Sequence, residues 1–251
     1  MPIKHYRDSI KQLYRYVDED MLIEDMDKST MQDLIIQLRA NPEMNDMTLY
    51  SYSRDMKTIM YFFMRKEWLE TFKITLAKAD KQPIEVYTDE ELRALLAKPK
   101  LKDTSFTEYK AWTMVNFLLS TGVRQHSLIN IKIKDIDLEG GYAYINVTKN
   151  RKPLTIPLNV DMIVILKEYL KYRGGTSDDY LFCNVYGKQL TKSVVYHSLY
   201  DYNKARGVST TGMHRFRHTF AKKWVTAGGS PVTLQKILGH SSLAITENYL
   251  N

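Results

Sequence analysis

The chain has 251 residues, 44% of them hydrophobic, which is enough to bury one large core or two modest ones. Lys and Arg number 36 against 29 Asp and Glu, and the net charge of +7 favours an anionic partner such as nucleic acid. A single cysteine, Cys183, excludes an internal disulfide framework and fits a reducing cytoplasm. We expect no membrane partner, because the start lacks a signal-peptide core and no apolar run is long enough to cross a bilayer.

Residues 1–82 are predicted to form a small helical domain. Apolar positions at helical spacing indicate three helices, and no strand pattern occurs in this stretch. The predicted helices cover about 4–16, 30–40 and 49–69. A capping box of Ser29 and Gln32 is predicted to begin the second helix, and Thr48 is predicted to cap the third.

The third predicted helix has an apolar face and a basic face. The predicted buried positions are Tyr52, Met56, Ile59, Met60 and Phe63. The basic side chains on the other face are Arg54, Lys57, Arg65 and Lys66. Such charges are usually only solvated, but next to a domain that handles phosphate they become candidates for contact with a DNA backbone.

Residues 83–251 are predicted to form a second domain after a polar linker that contains Pro83. Thr88 and Glu91 form a capping box, and Gly122 is predicted to end a buried helix over 105–120. Three short strands are predicted at about 134–138, 142–147 and 153–158. Further helices are predicted at about 160–173, 191–205, 213–227 and 231–238. The fold class is therefore mainly α with a small antiparallel three-stranded sheet.

The last forty residues contain a cationic cluster. On a helix His214, Arg217 and His218 occupy positions i, i+3 and i+4, and therefore one face. No carboxylate lies between Gly212 and Thr246, so the cluster has no local counter-charge and suits an external anion such as phosphate. The His pair also has the spacing of a zinc site, but an arginine inside the pair disfavours a second cation. A structural histidine explains His218 as well as a functional role does.

The same region resembles the tyrosine recombinases, the group of phage integrases and chromosome-dimer resolvases. The resemblance is carried by 214-HRFRH-218, 238-LGH-240 and Tyr249, three motifs in the family's order and spacing. It covers about 88–251, and 1–82 more loosely, as a helical core-type DNA-binding domain ahead of a catalytic domain. It implies a site-specific DNA recombinase or integrase, of a phage or mobile element, that needs neither metal nor cofactor.

The resemblance also points to Arg124, which composition would not single out. The family's first active-site arginine follows Thr-Gly-x, as Arg124 does, and is followed by a Leu-x-x-Leu-like pattern, here Leu128 and Ile131. Many members have an acidic residue three positions after this arginine, where the chain has Ser127. That departure concerns the groups that orient Arg124 and leaves the implied reaction unchanged.

An active-site lysine is implied in the hairpin between the second and third strands. The family's lysine lies eight residues before a proline, as Lys149 lies before Pro157, and Lys152 is the alternate. Arg151 and Lys152 are further candidates for DNA contact, although a solvated hairpin tip explains these cations equally well.

The resemblance assigns each site residue a role. Arg124 and Arg217 hold the phosphate, with His240 as a third donor, while Tyr249 is the nucleophile that forms a 3′-phosphotyrosine. His214 is the general base, and Lys149 protonates the leaving 5′ oxygen. His218 supports the site. The expected partners are double-stranded DNA and three further copies of the chain on paired DNA sites, with a monomer or weak association without DNA.

Two other functions fit parts of the pattern. A type IB topoisomerase-like enzyme shares the arginines and the tyrosine, but it relaxes supercoils alone. A non-catalytic DNA-binding protein with the same fold is the other alternative, and the intact set of site residues disfavours it. The chain ends two residues after Tyr249, where relatives usually continue with a segment that docks on a neighbouring subunit. If the sequence is truncated there, Tyr249 is expected to be mobile.

Overall fold

The computed structural model describes residues 2–18, 20–76, 84–147 and 152–249, and the chain divides into two compact units, Met1–Pro83 and Ile84–Asn251. In the first unit the described helices are α1 (Pro2–Leu13), α2 (Lys28–Ala40) and α3 (Asp46–Arg65), with a 3-10 turn at Ile23–Asp25. Their apolar faces form one core, in which α2 and α3 contribute Met31, Leu34, Leu38, Met56, Ile59, Met60 and Met64.

The starts of α2 and α3 differ from the predictions. Asp27 caps α2, since its carboxylate accepts the Thr30 amide hydrogen at 2.9 Å, and the Ser29 hydroxyl donates to the same carboxylate at 2.6 Å. The predicted Ser29–Gln32 box was therefore wrong, because a better acceptor lies two residues earlier. Thr48 was wrong as a cap in the same way, since Asn45 accepts the Thr48 amide hydrogen at 2.9 Å.

The ends of α1 and α3 were also predicted too late, whereas α2 ends at residue 40 as predicted. α1 ends at Leu13 and α3 ends at Arg65, three and four residues before the predicted ends at 16 and 69. Of the predicted buried face of α3, the three central positions 56, 59 and 60 are confirmed as buried. Tyr52 and Phe63 are half-buried and pack against the core from its margin.

The second unit contains eight described helices and one sheet. The helices are α4 (Asp89–Leu96), α5 (Phe106–Thr121), α6 (Gln125–Leu128), α7 (Val160–Arg173), α8 (Lys192–Ala205), α9 (Met213–Thr226), α10 (Pro231–Leu238) and α11 (Leu243–Glu247). α5 lies at the centre, since it packs against α4, α7, α8 and α9. Its buried residues include the four predicted, Trp112, Val115, Phe117 and Leu118. The capping box of Thr88 and Glu91 at the start of α4 is confirmed.

The sheet has the predicted number of strands and the predicted antiparallel pairing. β1 (Ile136–Asp137), β2 (Tyr142–Ile145) and β3 (Leu154–Pro157) lie in the order β1-β2-β3. Ala143 and Ile145 point into the core while their neighbours are exposed, so one face of the sheet is buried. β1 is shorter than predicted, because a 3-10 turn at Ile133–Asp135 precedes it. The predicted fold class is confirmed.

Gly122 determines how closely the end of α5 approaches α9 and α10. Its φ of +62° is left-handed, and its amide hydrogen bonds the Leu118 carbonyl at 2.9 Å, which ends the helix as predicted. A Cβ at this position would lie 2.5 Å from Phe220 and 2.8 Å from Leu238. Only glycine satisfies both constraints, and the close approach brings Arg124 beside the end of α10.

In the described part of the chain, no helix is long and apolar enough to span a membrane.

Candidate active site

The site lies in the second unit, where four segments converge. Arg124 lies three residues after the end of α5 and directly before α6, and Arg217 lies in the middle of α9. His240 follows Gly239, which ends α10 with a left-handed φ of +61°. Tyr249 follows α11, a short helix that the sequence did not predict. Residues separated by more than a hundred positions in the chain therefore meet at one place.

The two arginines share a single hydrogen-bond acceptor. Arg217 donates to the Leu238 carbonyl at 2.7 Å and to the Gly122 carbonyl at 2.9 Å. Arg124 donates to the same Leu238 carbonyl at 3.3 Å. Because one oxygen accepts from both, the two guanidinium groups lie side by side. The Leu238 carbonyl is at the C-terminal end of α10, whose partial negative charge favours cations there.

The electrostatics of this pair are unfavourable without an anion. Burial, together with the neighbouring Arg124, lowers the pKa of Arg217 to about 10. Burial lowers the pKa of Arg124 as well. Both groups remain charged at neutral pH, and neither forms an ion pair with a carboxylate of the described residues. Two guanidinium groups without an acidic partner in the described ranges, one on a buried residue and one on a half-buried residue, are suited to bind an oxyanion.

His240 is held from both sides and is neutral. Its amide hydrogen bonds the Gln235 carbonyl at 3.0 Å, and its Nδ1 lies 2.8 Å from the Thr246 hydroxyl oxygen. Burial, together with the nearby charges of Arg217, Arg124 and His218, lowers the pKa of His240 to about 4. At neutral pH the ring therefore offers one N–H donor and one lone pair.

Tyr249 is packed into the site. Only 5% of the residue is exposed, and it contacts the apolar cluster of Ala221, Leu234 and Leu238. Its hydroxyl lies 2.8 Å from Nδ1 of His218, and its ring is nearly parallel to that of His240, with 6.4 Å between centroids. Tyr249 is therefore packed against α9 and α10.

The hydroxyl of Tyr249 keeps its proton near neutral pH. Burial raises the pKa of the phenol, and this effect outweighs the opposing influence of Arg217 and Arg124. The positive field of the arginines therefore does not by itself ionise the hydroxyl in this arrangement. A neighbouring group must accept its proton.

The structure places His218, not His214, at the Tyr249 hydroxyl. His214 lies in the first turn of α9, is exposed, and stacks on His218 with 6.0 Å between ring centroids. Burial lowers the pKa of His218, and the neighbouring His214 and Arg217 lower it further, so the ring is a neutral acceptor near neutral pH. The sequence indicated the cluster but assigned the nearest histidine a supporting role.

The hairpin that carries the expected lysine lies partly outside the described residues. Lys149 and Arg151 fall within that gap, while Lys152 is exposed directly before β3. Ser127, which stands where many relatives have an acid, is buried and donates to the Val147 carbonyl at 3.0 Å. It therefore connects α6 to the chain just ahead of the hairpin, whereas Arg124 donates to the Leu238 carbonyl at the end of α10.

Several groups of the site escaped the sequence reasoning. The carbonyls of Gly122 and Leu238 are backbone atoms and leave no signal in the side-chain pattern, and the position of Thr246 could not be predicted without knowledge of α11.

Arg215, inside the basic motif, lies in a different environment, with an ion pair to Glu91 at 3.0 Å and its guanidinium 4.3 Å from the centre of the Tyr87 ring. It joins α9 to the start of α4. No cluster of three or more His, Cys, Asp or Glu suited to a metal ion occurs in the described ranges.

Three of the four basic candidates in the first unit line one groove. Arg54, Lys57 and Arg65 surround it together with Tyr50 and Tyr61. The Lys57 ammonium donates to the Ile74 carbonyl at 2.7 Å, so this lysine also fixes the wall of the groove. Arg54 lies 3.5 Å from the Asp55 carboxylate but is more than half exposed. The fourth candidate, Lys66, is exposed at the end of α3 and outside this lining.

Comparison with known proteins agrees with the geometry. The sequence pattern of the phage integrase family matches residues 85–251, which is more than half of the chain. The tyrosine recombinase XerA of Pyrococcus furiosus is 32% identical over 168 residues, which are 64% of this chain and 55% of that protein. The tyrosine recombinase XerD of Staphylococcus epidermidis is 26% identical over 255 aligned positions, covering 97% of this chain and 85% of that protein.

A solved structure supports the same fold. The integrase of the transposon Tn1549, in complex with transposon right end DNA, superposes with a TM-score of 0.83 and 19% identity, covering 99% of this chain and 88% of that one. The resemblance seen in the sequence motifs is thus confirmed by a family match that includes all of them. The chain belongs to the phage integrase family and is a tyrosine recombinase.

Proposed function

We propose that the chain cuts and rejoins double-stranded DNA at specific sites through a covalent 3′-phosphotyrosine on Tyr249. The observation that carries this proposal is the shared Leu238 carbonyl, which holds the guanidinium groups of Arg124 and Arg217 together. The Tyr249 hydroxyl belongs to the same site, because both arginines act on its pKa. A nucleophile and a paired cationic site are the two requirements for attack on a phosphodiester.

The arginines address the main obstacle to this reaction. A phosphodiester anion repels nucleophiles, and negative charge on its non-bridging oxygens must be stabilised as the pentacovalent transition state forms. Each guanidinium has five N–H donors, and the described contacts occupy two of those on Arg217 and one on Arg124. The remaining donors are held in place before DNA binds, so little reorganisation is needed during the reaction.

Proton transfer is assigned to the histidine pair. As the Tyr249 oxygen bonds to phosphorus, its proton passes to Nδ1 of His218, which already lies 2.8 Å away. His214, stacked on His218, is the outer member of this pair and modulates its basicity. The bond from phosphorus to the 5′ oxygen breaks at the same time, and Lys149 protonates that oxygen. When a 5′ hydroxyl of a partner strand attacks the phosphotyrosine, the same transfers run in reverse and Tyr249 is released.

The first unit is proposed to bind the DNA backbone. Its groove presents the exposed guanidinium of Arg54 and the side chain of Arg65 beside two tyrosines, a combination suited to phosphate contact. The related Tn1549 integrase has been solved with DNA, which supports DNA as the partner. We extend the proposal to an assembly of four copies on paired DNA sites, with only weak association between copies in the absence of DNA. The reaction would take place in the cytoplasm and would recombine the DNA of a phage or mobile element.

A nicked suicide substrate tests this function directly. A nick placed just beyond the scissile phosphate lets the short strand diffuse away after cleavage, which traps the covalent complex. We expect a slowly migrating protein–DNA band with the natural chain and none with Tyr249→Phe. Mass spectrometry should locate the nucleotide on the peptide that contains Tyr249. The natural substrate site is first selected by binding from a random DNA pool.

The outcomes separate the three candidate functions. Specific DNA binding without any covalent band contradicts the proposal and supports a non-catalytic protein. A covalent band together with relaxation of supercoiled plasmids that lack paired sites supports the topoisomerase-like alternative. Strand exchange between two copies of the selected site supports the recombinase.

A further inference from the structure

Thr246 lies between the proposed phosphate donor and the proposed nucleophile. Its hydroxyl oxygen is 2.8 Å from Nδ1 of His240, and its carbonyl accepts the Tyr249 amide hydrogen at 3.0 Å. The residue is fully buried at 0% exposure, on the five-residue helix α11. A hydroxyl in this position interacts with one ring nitrogen of His240 and therefore affects which nitrogen carries the proton.

The hydrogen bonding of the Thr246 hydroxyl distinguishes the two neutral tautomers of His240. Among the described residues, the His240 ring is the one hydrogen-bond partner of the Thr246 hydroxyl. If Nδ1 carried the proton, it would donate to the threonine oxygen, and the hydroxyl hydrogen would be buried without an acceptor. If Nδ1 is bare, the hydroxyl donates to it and its one hydrogen is satisfied. The second arrangement leaves the ring proton on Nε2.

The tautomer matters because His240 is neutral. A doubly protonated ring would donate from both nitrogens, but burial and the two arginines favour the neutral ring at neutral pH. A neutral ring with its proton on Nδ1 would have that donor engaged by Thr246 and would present a lone pair at Nε2. A lone pair repels an oxyanion, whereas an N–H group stabilises it.

We propose that Thr246 is a positioning residue, which holds His240 in the Nε2–H tautomer so that the neutral ring donates to the phosphate. The inference rests on the proposed function for the identity of the oxyanion, but its structural part, the tautomer, is independent of it. It explains how a site with two fixed cations gains a third donor without adding a third charge.

The tautomer is measured by NMR on protein with isotope-labelled histidine, because protonated and bare ring nitrogens have well-separated nitrogen shifts. The His240 signals are identified by their loss in His240→Gln. We expect the free wild-type protein to show a proton on Nε2 and a bare Nδ1. Thr246→Val, which replaces the hydroxyl by a methyl group of similar size, should produce a mixture of tautomers, while Thr246→Ser should retain the wild-type pattern.

Single-turnover cleavage of the suicide substrate provides the second readout. We expect Thr246→Val to cleave about tenfold more slowly at unchanged DNA affinity, a smaller loss than the roughly hundredfold expected when an oxyanion donor is removed outright. Thr246→Ser should cleave at nearly the wild-type rate. Thr246→Ala replaces the valine variant if the latter does not fold.

Each outcome decides the proposal. A proton on Nδ1 in the wild-type protein overturns it, as does a Thr246→Val protein with wild-type tautomer and wild-type rate. If the wild-type chain forms no covalent complex, the proposed function fails, but the NMR pattern still supports or overturns the role of Thr246 in setting the tautomer.

Discussion

Replacing Arg217 by lysine keeps the positive charge and removes the planar guanidinium group, whose N–H donors lie on separate nitrogen atoms. Arg217 is 5% exposed, and its guanidinium donates at 2.7 Å to the Leu238 carbonyl and at 2.9 Å to the Gly122 carbonyl. A lysine ammonium has a different reach and presents its donors from one atom, so at least one buried carbonyl is expected to lose its partner. Leaving a buried acceptor unpaired costs about 1–3 kcal/mol. At about 2–4 °C per kcal/mol for a domain of this size, the melting temperature should fall by a few degrees or more.

The effect on cleavage should be larger than the effect on stability. Removal of one preorganised donor from a site of developing negative charge reduces rates by about 10²–10³, or roughly 2.7–4 kcal/mol of transition-state stabilisation. We therefore expect Arg217→Lys to cleave the suicide substrate at least about a hundredfold more slowly than wild type in single-turnover experiments. The measurement is made well below the melting temperature of the variant, so that all of the protein is folded.

Arg173→Lys is the matched control. Arg173 lies in the same unit and also has a buried side chain, of which 4% is exposed, and its guanidinium donates to the carbonyls of Tyr180 and Gly174. None of its partners belongs to the site. Its replacement should lower the melting temperature by a similar amount and leave the cleavage rate of the folded protein unchanged. Equal cleavage rates for the two lysine variants would refute the reasoning, because the loss would then reflect stability alone.

Two further predictions follow from the same geometry. Gly122→Ala should lower the melting temperature and slow cleavage for two reasons. The left-handed backbone would be strained by about 1–2 kcal/mol, and the new methyl group would overlap with the side chains of Phe220 and Leu238. Gly187 has a φ of +73° and open space around it, so Gly187→Ala should lower the melting temperature through backbone strain alone. Equal losses of stability and cleavage rate in the two alanine variants would contradict this account. His218→Asn should slow cleavage by about 10²-fold or more and recover in part at high pH, where the phenol ionises without an acceptor. His214→Asn should reduce the cleavage rate less than His218→Asn does. A larger reduction in His214→Asn would favour His214 as the general base.

The sequence predicted the second unit better than the first. The starts and ends of α5 and of α7 to α10 are marked by clear capping residues, such as Gly122 at the end of α5 and Ser230 with Pro231 at the start of α10. The bounds of these five helices agree with the predicted ones within two residues. In the first unit several candidate caps lie within a few positions of one another. The choice between Asp27 and Ser29 depends on which side chain reaches the free amide, and that is a matter of three-dimensional placement.

The site shows the same division between side-chain pattern and geometry. The motif spacing indicated Arg124, Arg217, His240 and Tyr249, and the structure brings all four together. The pattern did not contain the Leu238 carbonyl that the two arginines share, because every residue has a carbonyl. Nor did it show that burial raises the pKa of Tyr249, since burial depends on how α11 packs.

The central claim is that Arg124 and Arg217 act together on the charge of a single phosphate. It is tested by measuring cleavage of a suicide substrate whose scissile phosphate is replaced by a neutral methylphosphonate. A neutral centre needs less cationic stabilisation, so the rate loss caused by Arg124→Ala or Arg217→Ala should be at least about tenfold smaller on the methylphosphonate than on the phosphate. Equal losses on the two substrates would contradict the claim, because the arginines would then be needed for something other than the phosphate charge.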